Sequence, residues 1–353
     1  MKAFTVETAK LLSALAFAVE TDGESMLLES SGERLCISAV GPGSSFTTAI
    51  DALCADPLTA CVRTKQVLDL IRHLTADVVT FQRQGGVIAV TTAHGLRYRL
   101  LTMRSDDLPV IDSVEAASTP ISGPLLASML STVAFAAETN PNGEERWKAL
   151  ELAAKGGVLS ITACCGFQLA NAEVAFDGEF YALVPAQNVS LLVRLAGASE
   201  SLDLAMNGHL LTAQSPVGTV NLRLSALMWP DWRRLIGPVY THTAQCDVAA
   251  LKTALSRLLL FCDNDIVRRV GCEWGSDKLT LTVTSPERGE GREEVVGQNG
   301  DPFTLAMDGK RLMGLLRTLK DAMTWEMTDG APVRFTVDTQ QPFTFQCVQL
   351  PMR

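Results

Sequence analysis

The residues best suited to chemistry in this chain are four histidines, nine cysteines and one stretch rich in tryptophan and arginine. The histidines are far apart, at His73, His94, His209 and His242, and show no metal-ligand spacing. No P-loop, His-Glu-x-x-His motif or nucleophile elbow is present, and the acidic turn at residues 289–291 would hold a phosphate poorly. The pattern therefore argues against an enzyme and predicts no catalytic residue, metal or cofactor.

The cysteines indicate a reducing compartment rather than a disulfide framework. They are odd in number and include no Cys-x-x-Cys pair. Cys164 and Cys165 could form a reactive pair, although adjacent thiols at a strand end are more often simply buried. The chain starts without an apolar signal segment, and no apolar run approaches the ~20 residues of a membrane helix. We therefore expect a soluble, cytoplasmic protein that has no membrane partner.

A stretch in the middle of the chain concentrates aromatic and basic side chains. Residues 220–226 alternate apolar and polar side chains with the period of a strand, and Pro230 would end that strand because proline cannot extend the ladder. Trp229, Trp232, Arg233 and Arg234 lie at this end. Arginine beside tryptophan predicts either a cation–π brace or a recognition site, and the stretch alone favours the brace.

Composition sets the scale of the fold and the kind of partner. The chain has 353 residues, enough for two or three domains, and its 47% hydrophobic content is ample for buried cores. Because aromatic residues make up only 6%, we expect cores of Leu, Val, Ala and Met. The net charge of −9 argues against a surface that binds nucleic acid throughout, but it leaves room for a local basic patch.

The sequence also repeats itself. Leu108-Pro109, Trp229-Pro230 and Leu350-Pro351 each end an alternating segment, and their prolines are spaced by 121 positions. Amphipathic segments predict an opening helix at residues 8–19, 124–137 and 248–261, and a second helix at residues 67–74, 189–195 and 312–319. We predict three similar domains, at residues 1–113, 114–238 and 239–353.

The segments between these helices predict the fold class. They are short, apolar and closely spaced, and they are separated by Gly, Asn, Asp or Ser turns. Strands this close together leave no room for crossover helices, so the sheets should be mostly antiparallel. The prediction is an α+β architecture of three repeated domains.

Several predicted helices carry basic residues opposite their apolar face. On the predicted helix around residues 312–319, Arg311 lies at the border between the apolar and the basic face. For any one helix, a solvated basic face is the simpler interpretation. Corresponding helices of repeated domains would instead share one surface that attracts phosphates without reading sequence. The candidate DNA-binding residues are Lys65, Arg72, Arg194, Lys252, Arg257, Lys310, Arg317 and Lys320.

These features together resemble the bacterial sliding clamps, the β subunits of DNA polymerase III. Residues 229–234, Trp-Pro-Asp-Trp-Arg-Arg, are similar to the family's Phe-Pro-Asp-Tyr-Arg-Arg signature, and the final Leu-Pro-Met-Arg is similar to its Met-Pro-Met-Arg end. The resemblance implies a non-catalytic processivity factor. It also implies a head-to-tail homodimer closed into a ring, with helices lining a central hole that holds double-stranded DNA and sheets outside.

The resemblance also implies where partners bind. DNA polymerase, clamp loader and repair proteins of the family insert short linear motifs into a pocket between the second and third domains. The matching positions here are Trp147, Cys164, Gly166, Phe167, Gln168, Leu169, Pro230, Arg234, Leu235, Val348, Leu350, Pro351, Met352 and Arg353. Leu108, Leu260 and Phe261 fall near the family's dimer contacts.

The pocket positions depart from the family pattern. A His-Arg pair of the family is replaced by Phe167 and Gln168, and a leucine by Trp147. The pocket should therefore be more apolar and less basic, as in a divergent member. The alternatives are a clamp-like protein-binding scaffold that does not encircle DNA and a monomeric β-rich module.

Overall fold

The order of helices and strands repeats three times along the chain. The structure, a computed structural model, describes residues 3–93, 95–104, 108, 113–140, 142–236, 239–262, 268–299, 301–320, 322–337 and 341–352. Each repeat runs through one strand, a helix, a group of four strands, a second helix and three strands, and the first repeat adds one short strand to the group of four. The threefold repeat and the α+β class predicted from the sequence are thus confirmed.

The three repeats contain the following elements. The first comprises β1 (Ala3–Glu7), α1 (Thr8–Glu20), β2 (Ser25–Ser31), β3 (Arg34–Val40), β4 (Ser44–Asp51), β5 (Leu53–Asp56), β6 (Leu58–Arg63), α2 (Thr64–Arg72), β7 (Val78–Gln84), β8 (Val87–Thr92) and β9 (Arg97–Leu101). The second comprises β10 (Thr119–Ser122), α3 (Gly123–Val133), β11 (Ala149–Lys155), β12 (Val158–Cys164), β13 (Gln168–Ala175), β14 (Phe180–Pro185), α4 (Val189–Gly197), β15 (Ser201–Met206), β16 (Leu210–Ser215) and β17 (Gly218–Arg223). The third comprises β18 (His242–Cys246), α5 (Val248–Leu258), β19 (Arg269–Trp274), β20 (Lys278–Ser285), β21 (Gly289–Asn299), β22 (Phe303–Asp308), α6 (Gly309–Thr318), β23 (Met323–Met327), β24 (Val333–Val337) and β25 (Thr344–Gln349).

The strands form three sheets, and their pairings between named strands are antiparallel, as predicted. The strand orders are β5-β1-β7-β8-β9, then β10-β15-β16-β17-β4-β3-β2-β6, and β14-β11-β12-β13-β25-β24-β23-β18-β21-β20-β19-β22. Two pairings join different repeats. Strand β17 pairs with β4, and β13 pairs with β25.

The backbone divides into two compact units, each of which contains one of these joints. One unit consists of Met1–Ala127 with Gln187–Ser225, and the other of Ser128–Ala186 with Ala226–Arg353. The middle repeat therefore contributes to both units. The predicted boundaries at residues 113 and 238 follow the sequence repeat, and they remain a prediction.

Local sequence explains the helices. In α1 the buried residues Leu11, Leu15 and Ala18 follow the helical spacing, so one face of the helix packs against the sheet. Helices α5 and α6 begin after Asp247 and Asp308, whose carboxylates accept hydrogen bonds from free backbone N–H groups of the first turn. All six predicted helices are present.

One predicted strand ends earlier than its sequence pattern indicates. The alternation continues to Ala226, but β17 ends at Arg223. The Leu224 amide still donates to the carbonyl of His209, 2.8 Å away and in register with β16, but the His209 amide donates to the side chain of Asn207, at 3.2 Å, and so does not return the ladder hydrogen bond. The alternation of side chains alone did not contain this competing hydrogen bond.

The two units differ in how their cores are filled. The first has a largely aliphatic core with two stacked pairs, Phe4 with Phe81 and Phe17 with Phe46, whose ring centroids lie 4.9 and 4.8 Å apart. In the second unit the prediction of a core without large aromatics is wrong. Trp274, Trp325 and Phe335 are fully buried and pack edge to face, with centroid distances of 5.5 and 4.8 Å.

A network of buried amide side chains holds α6 against the joint between β13 and β25. Gln168 is directly opposite Gln349 in this pairing, and its Nε2 donates to the Oε1 of Gln349 at 3.2 Å and to the carbonyl of Arg311 at 3.1 Å. The Nε2 of Gln349 donates in turn to the carbonyl of Asp308 at 3.1 Å. The first turn of α6 is thereby fixed to the sheet.

Replacing Gln349 with leucine should destabilise the protein by about 1–3 kcal/mol, because it leaves one Gln168 amide hydrogen buried without a partner and removes the side-chain hydrogen bond to the Asp308 carbonyl. Urea denaturation followed by tryptophan fluorescence measures this. Thr344→Val on the exposed face of the same strand is the control and should change stability by less than about 0.5 kcal/mol. Equal stabilities of the two variants would contradict the network's importance.

Candidate functional sites

The tryptophan–arginine stretch forms a short 3-10 turn anchored by a buried carboxylate. Trp232 begins the turn Trp232–Leu235 and is only 2% exposed. Its Nε1 donates to the Oε2 of Glu151 on β11, at 2.7 Å, and the guanidinium of Arg233 lies 4.4 Å from the indole centroid. The predicted cation–π brace is present at Trp232, and the turn has a second anchor that the sequence did not indicate.

Glu151 is an unusual residue for a buried strand. Burial raises its pKa above the ordinary value, against the lowering effects of the Trp232 hydrogen bond and the nearby Arg233 charge. Burial, with the Glu151 carboxylate as a second cause, also raises the pKa of Tyr181 to about 12, so that Tyr181 stays protonated at neutral pH. The Trp232 turn therefore rests on a carboxyl group that is costly to ionise.

Several predicted pocket residues meet around this turn. Cys164, Leu169 and Trp232 form one buried cluster. Trp147 and Trp229 pack against this cluster. Their own rings meet edge to face, with centroids 6.0 Å apart. A glycine lies beneath the Trp147 indole because the turn needs a residue in the left-handed conformation there. Gly166 has φ of +79°, and a Cβ atom there would lie 3.5 Å from the indole nitrogen.

The turn between β12 and β13 presents an aromatic side chain to solvent. Phe167 is 59% exposed, and the guanidinium of Arg311 lies 5.0 Å from its ring centroid. The same guanidinium contacts the sulfur of Cys165. Arg311 comes from the first turn of α6, so this surface combines residues of the second and third repeats.

The end of the chain adds a further side to this surface. The Leu350 amide donates to the carbonyl of Phe167 at 2.9 Å, and the Met352 amide donates to that of Ala306 on β22 at 2.7 Å. Val348 is buried, Leu350 is exposed, and Pro351 and Met352 are half-buried. Arg353 and the side chain of Leu235 lie outside the described residues.

The structure thus brings most of the predicted pocket residues into one region of the second unit, but gives two of them different surroundings from the rest. Gln168 is 3% exposed and serves the amide network beneath the surface. The side chain of Arg234 is 85% exposed and pairs with Asp231 at 2.8 Å, while Pro230 is half-buried. The predicted pocket positions did not include Trp229, Glu151 and Arg311. The sequence had pointed to Trp229 only as part of the Trp/Arg stretch and to Arg311 only as a border residue of its helix, and it gave no signal for Glu151.

The residues considered for chemistry do not form a reactive site among the described residues. Cys164 and Cys165 are buried, as expected, and burial raises the pKa of the Cys164 thiol to about 11, which leaves little thiolate at neutral pH. No group of three or more potential metal ligands occurs in the described part of the chain. His94 lies outside it.

The candidate DNA-binding residues of the first unit are exposed on their helices. Lys65 and Arg72 lie on α2, and Arg72 has a long ion pair of 3.9 Å with Asp69. Arg194 on α4 is more firmly engaged, because its Nη2 donates to Glu20 of α1 at 2.7 Å. The charge of Arg194 is therefore partly neutralised, while Lys65 forms no ion pair with a described residue.

In the second unit, too, one candidate DNA-binding residue is held in a close ion pair and others are not. Arg257 on α5 forms a bidentate pair with Glu293 on β21, at 2.6 and 2.7 Å. Arg317, Lys320 and Lys252 form no ion pair with a described residue, and the first two of these are exposed, as is Lys310. The cationic surface is weaker than the count of basic residues predicts.

The predicted dimer residues are partly exposed. Leu108 is half-buried in the first unit. In the second unit, Leu260 is 71% exposed at the end of α5, and Phe261 is half-buried against Gly291 of β21. A Cβ atom on Gly291 would approach the Phe261 ring to 3.2 Å, so the glycine allows this packing.

Comparison with known proteins identifies the fold. No family model matches the chain. It is 20% identical over 308 residues to the beta sliding clamp of Chlamydia muridarum and 22% identical over 306 residues to that of Chlamydia pneumoniae, in each case over 84% of this chain and 82% of the relative. It superimposes on the DNA polymerase III beta subunit of Thermotoga maritima with a TM-score of 0.90 at 17% identity, over 100% of both chains. Superposition on the beta sliding clamp of Caulobacter crescentus gives a TM-score of 0.88 at 20% identity, over 100% of this chain and 99% of that one. The chain therefore has the sliding-clamp fold and is similar to beta sliding clamps in sequence at low identity.

Replacing Glu151 with glutamine should stabilise the protein at neutral pH. The raised pKa means that protonated Glu151 favours the folded state, an advantage present below the unfolded pKa and lost as pH rises through the folded pKa. Glutamine keeps an oxygen for Trp232 and carries no charge, so the unfolding free energy of the variant should depend less on pH above about pH 4.5. Denaturation between pH 4 and 8 measures this, with exposed Glu179→Gln as control. Parallel pH profiles of wild type and E151Q would contradict it.

Proposed function

We propose that this chain is a divergent DNA sliding clamp, a non-catalytic protein that encircles duplex DNA and tethers a replicative DNA polymerase and other partners. One observation carries the proposal. The threefold repeat of the clamp fold extends over the whole chain, with a TM-score of 0.90 to a DNA polymerase III beta subunit. The sequence similarity to beta sliding clamps over 84% of the chain supports it independently.

We also infer that the functional domains follow the sequence repeat, at residues 1–113, 114–238 and 239–353. The common order of elements in the three repeats, to which the first repeat adds only the short strand β5, supports these boundaries. The two compact units have other limits than the sequence repeats, because sheet pairings join strands of different repeats. Strands β4 and β17, like β13 and β25, continue a sheet across a proposed boundary.

The pattern of these joints argues for a head-to-tail homodimer. Strand β17 ends the second repeat and pairs with β4 of the first, and β25 ends the third repeat and pairs with β13 of the second. Strand β9 ends the first repeat in the same way, and among the described strands it pairs only with β8. The strand that corresponds to β4 and β13 is β21 of the third repeat, whose residues 289–296 pair only with β20.

A second copy of the chain would satisfy both edges, with β9 of one copy next to β21 of the other, and two such joints would close a ring. Unpaired edges favour such strand addition because they expose free N–H and C=O groups. The charges are partly complementary, because β9 exposes Arg97 and Arg99 and β21 exposes Glu290, while the exposed Glu294 already pairs with Lys278 and Arg292. The apolar side chains of Leu260 and Phe261 lie beside β21 and would add burial.

Weak cationic helices suit a protein that holds DNA by enclosure. Lys65, Arg72, Lys252, Lys310, Arg317 and Lys320 would contact phosphates, with Arg194 and Arg257 contributing less because of their ion pairs. Phosphate contacts are independent of sequence, so the ring could slide. None of the described helices is long and apolar enough to span a lipid bilayer. We propose that the ring acts on DNA in the cytoplasm.

Partner proteins would bind at the surface around Trp147, Trp229, Phe167 and the end of the chain. Its centre is apolar, and its rim carries the charged pairs of Arg146, Arg234 and Arg311 with acidic neighbours. An apolar centre with a charged rim is the usual anatomy of a peptide-binding site. DNA polymerase, clamp loader and repair proteins are the partners that we propose, through short linear motifs.

DNA topology tests the ring directly. Protein loaded on nicked circular DNA should remain bound through a wash at high salt and dissociate when the circle is cut, because the ring can slide off only a free end. Gel filtration of the protein–DNA complex before and after restriction cleavage measures this. Loss at high salt from both circular and linear DNA would instead identify phosphate contacts alone, since these weaken steeply with salt, and would favour a clamp-like scaffold that does not encircle DNA.

Charge introduced at the proposed dimer surface should give monomers. Leu260→Lys together with Phe261→Lys removes the apolar burial there and would place two ammonium groups near Arg97 and Arg99 of the other copy, so we expect the dimer dissociation constant to rise at least about 100-fold. Sedimentation equilibrium at micromolar concentration measures this. Val239→Lys, at another exposed apolar side chain, is the control. A dimer that persists in the double variant would place the interface elsewhere.

A further inference from the structure

The surface beside the buried tryptophan cluster has an exposed apolar edge with one cation held over it. Phe167 is 59% exposed at the tip of a tight turn, and Leu350, 42% exposed, is fixed next to it by the hydrogen bond from its amide to the Phe167 carbonyl. Solvent-exposed aromatic side chains held in place by backbone hydrogen bonds are suited to binding a partner, because little order is lost on association.

Arg311 is positioned over this edge by three separate contacts. Its guanidinium stacks on Phe167, with 5.0 Å to the ring centroid, and touches the sulfur of Cys165. Its backbone carbonyl accepts the hydrogen bond from the buried Gln168. The side chain of Arg311 is 27% exposed, so part of the group still faces solvent. The cation is thus held in one place next to an apolar surface.

The acidic neighbour of Arg311 leaves it incompletely neutralised. The Oδ2 of Asp308 lies 3.5 Å from its Nε, while Oδ1 accepts hydrogen bonds from the amides of Lys310 and Arg311 at the start of α6. A guanidinium has five N–H donors, so one distant oxygen uses little of its capacity.

Three other cations around the same surface are more tightly paired than Arg311. Arg146 lies 2.5 Å from Glu144, Lys148 lies 2.6 Å from Glu145, and Arg234 lies 2.8 Å from Asp231. Their acidic partners are each more than half exposed, so these pairs are weak contributors to stability but supply local neutralisation. Arg311 is therefore less neutralised than Arg146, Lys148 and Arg234, and much of its donor capacity is left for a ligand.

We propose that Arg311, stacked on Phe167, is a specificity-determining residue that binds a carboxylate side chain within an otherwise apolar segment of a partner protein. The apolar residues of that segment would cover Phe167, Leu350 and the tryptophan cluster, and its carboxylate would take a bidentate position on the guanidinium. This inference rests on the proposed function, because it names the chemistry of the segment that the clamp's peptide surface prefers.

Labelled peptides provide the test. The probes are fluorescein-labelled nine-residue peptides that contain two leucines and one phenylalanine in a Gly/Ser host, with Asp, Asn or Lys placed at each remaining position in separate pools. Fluorescence anisotropy measures their affinity for the full chain. The wild type should bind its best Asp pool about tenfold more tightly than the matching Asn pool, because a charge-assisted hydrogen bond contributes about that much. The Lys pool should bind least.

The variants isolate Arg311. In R311Q the preference for Asp over Asn should fall below about twofold, while binding of the Asn pool changes little. In R311K the charge is retained without the planar stacking, so an intermediate preference is expected. Lys155→Gln is the matched control, since it removes one exposed positive charge at the far end of β11 from Trp147 and should keep the full preference.

A wild type without Asp preference, or a preference that survives in R311Q, would overturn the inference. Should R311Q fail to fold by circular dichroism, R311K decides, because a full preference in R311K would exclude the stacked geometry. If the wild type binds no pool yet remains topologically linked to circular DNA, the inference fails while the proposed clamp stands. Loss of topological retention with Asp preference intact would instead contradict encirclement.

Discussion

The surface proposed to bind partners depends on one buried joint between strands of different repeats. Where β13 meets β25, Gln168 and Gln349 are directly opposite each other and satisfy one another and the carbonyls of Asp308 and Arg311. A buried amide without partners costs free energy, so these groups hold α6 in one position against the sheet. The position of Arg311 over Phe167 and the path of the last residues follow from that constraint.

The aromatic residues of this surface have two roles: some are buried and fix its shape, and others are exposed. Trp232 is buried and fixed by Glu151 and Arg233, so it determines the shape of the turn rather than what the turn binds. Phe167 is exposed and presents its ring to solvent. Trp147 and Trp229 connect the two by edge-to-face packing. A rigid interior beneath an exposed aromatic edge is the arrangement that limits the entropy lost on binding.

The basic surface expected to face DNA is only weakly charged. The chain carries a net charge of −9, and two of the eight basic residues expected to face DNA, Arg194 and Arg257, are engaged by Glu20 and Glu293. Such a surface would bind DNA weakly if it acted by phosphate contacts alone. Enclosure by a ring removes the need for strong contacts, because dissociation then requires a free DNA end or an open ring.

The sequence by itself determined the repeat, the six helices and the antiparallel α+β class, because side-chain periodicity and the 121-residue spacing are properties of the chain alone. The pocket positions came from the resemblance to the sliding-clamp family, which the Trp-Pro-Asp-Trp-Arg-Arg motif and the last four residues carry. Only the tertiary structure decided that Gln168 is buried, that Glu151 anchors Trp232 and that Arg311 reaches Phe167. Each of these contacts joins residues far apart in the chain, and neither propensity nor periodicity carries information about such partners.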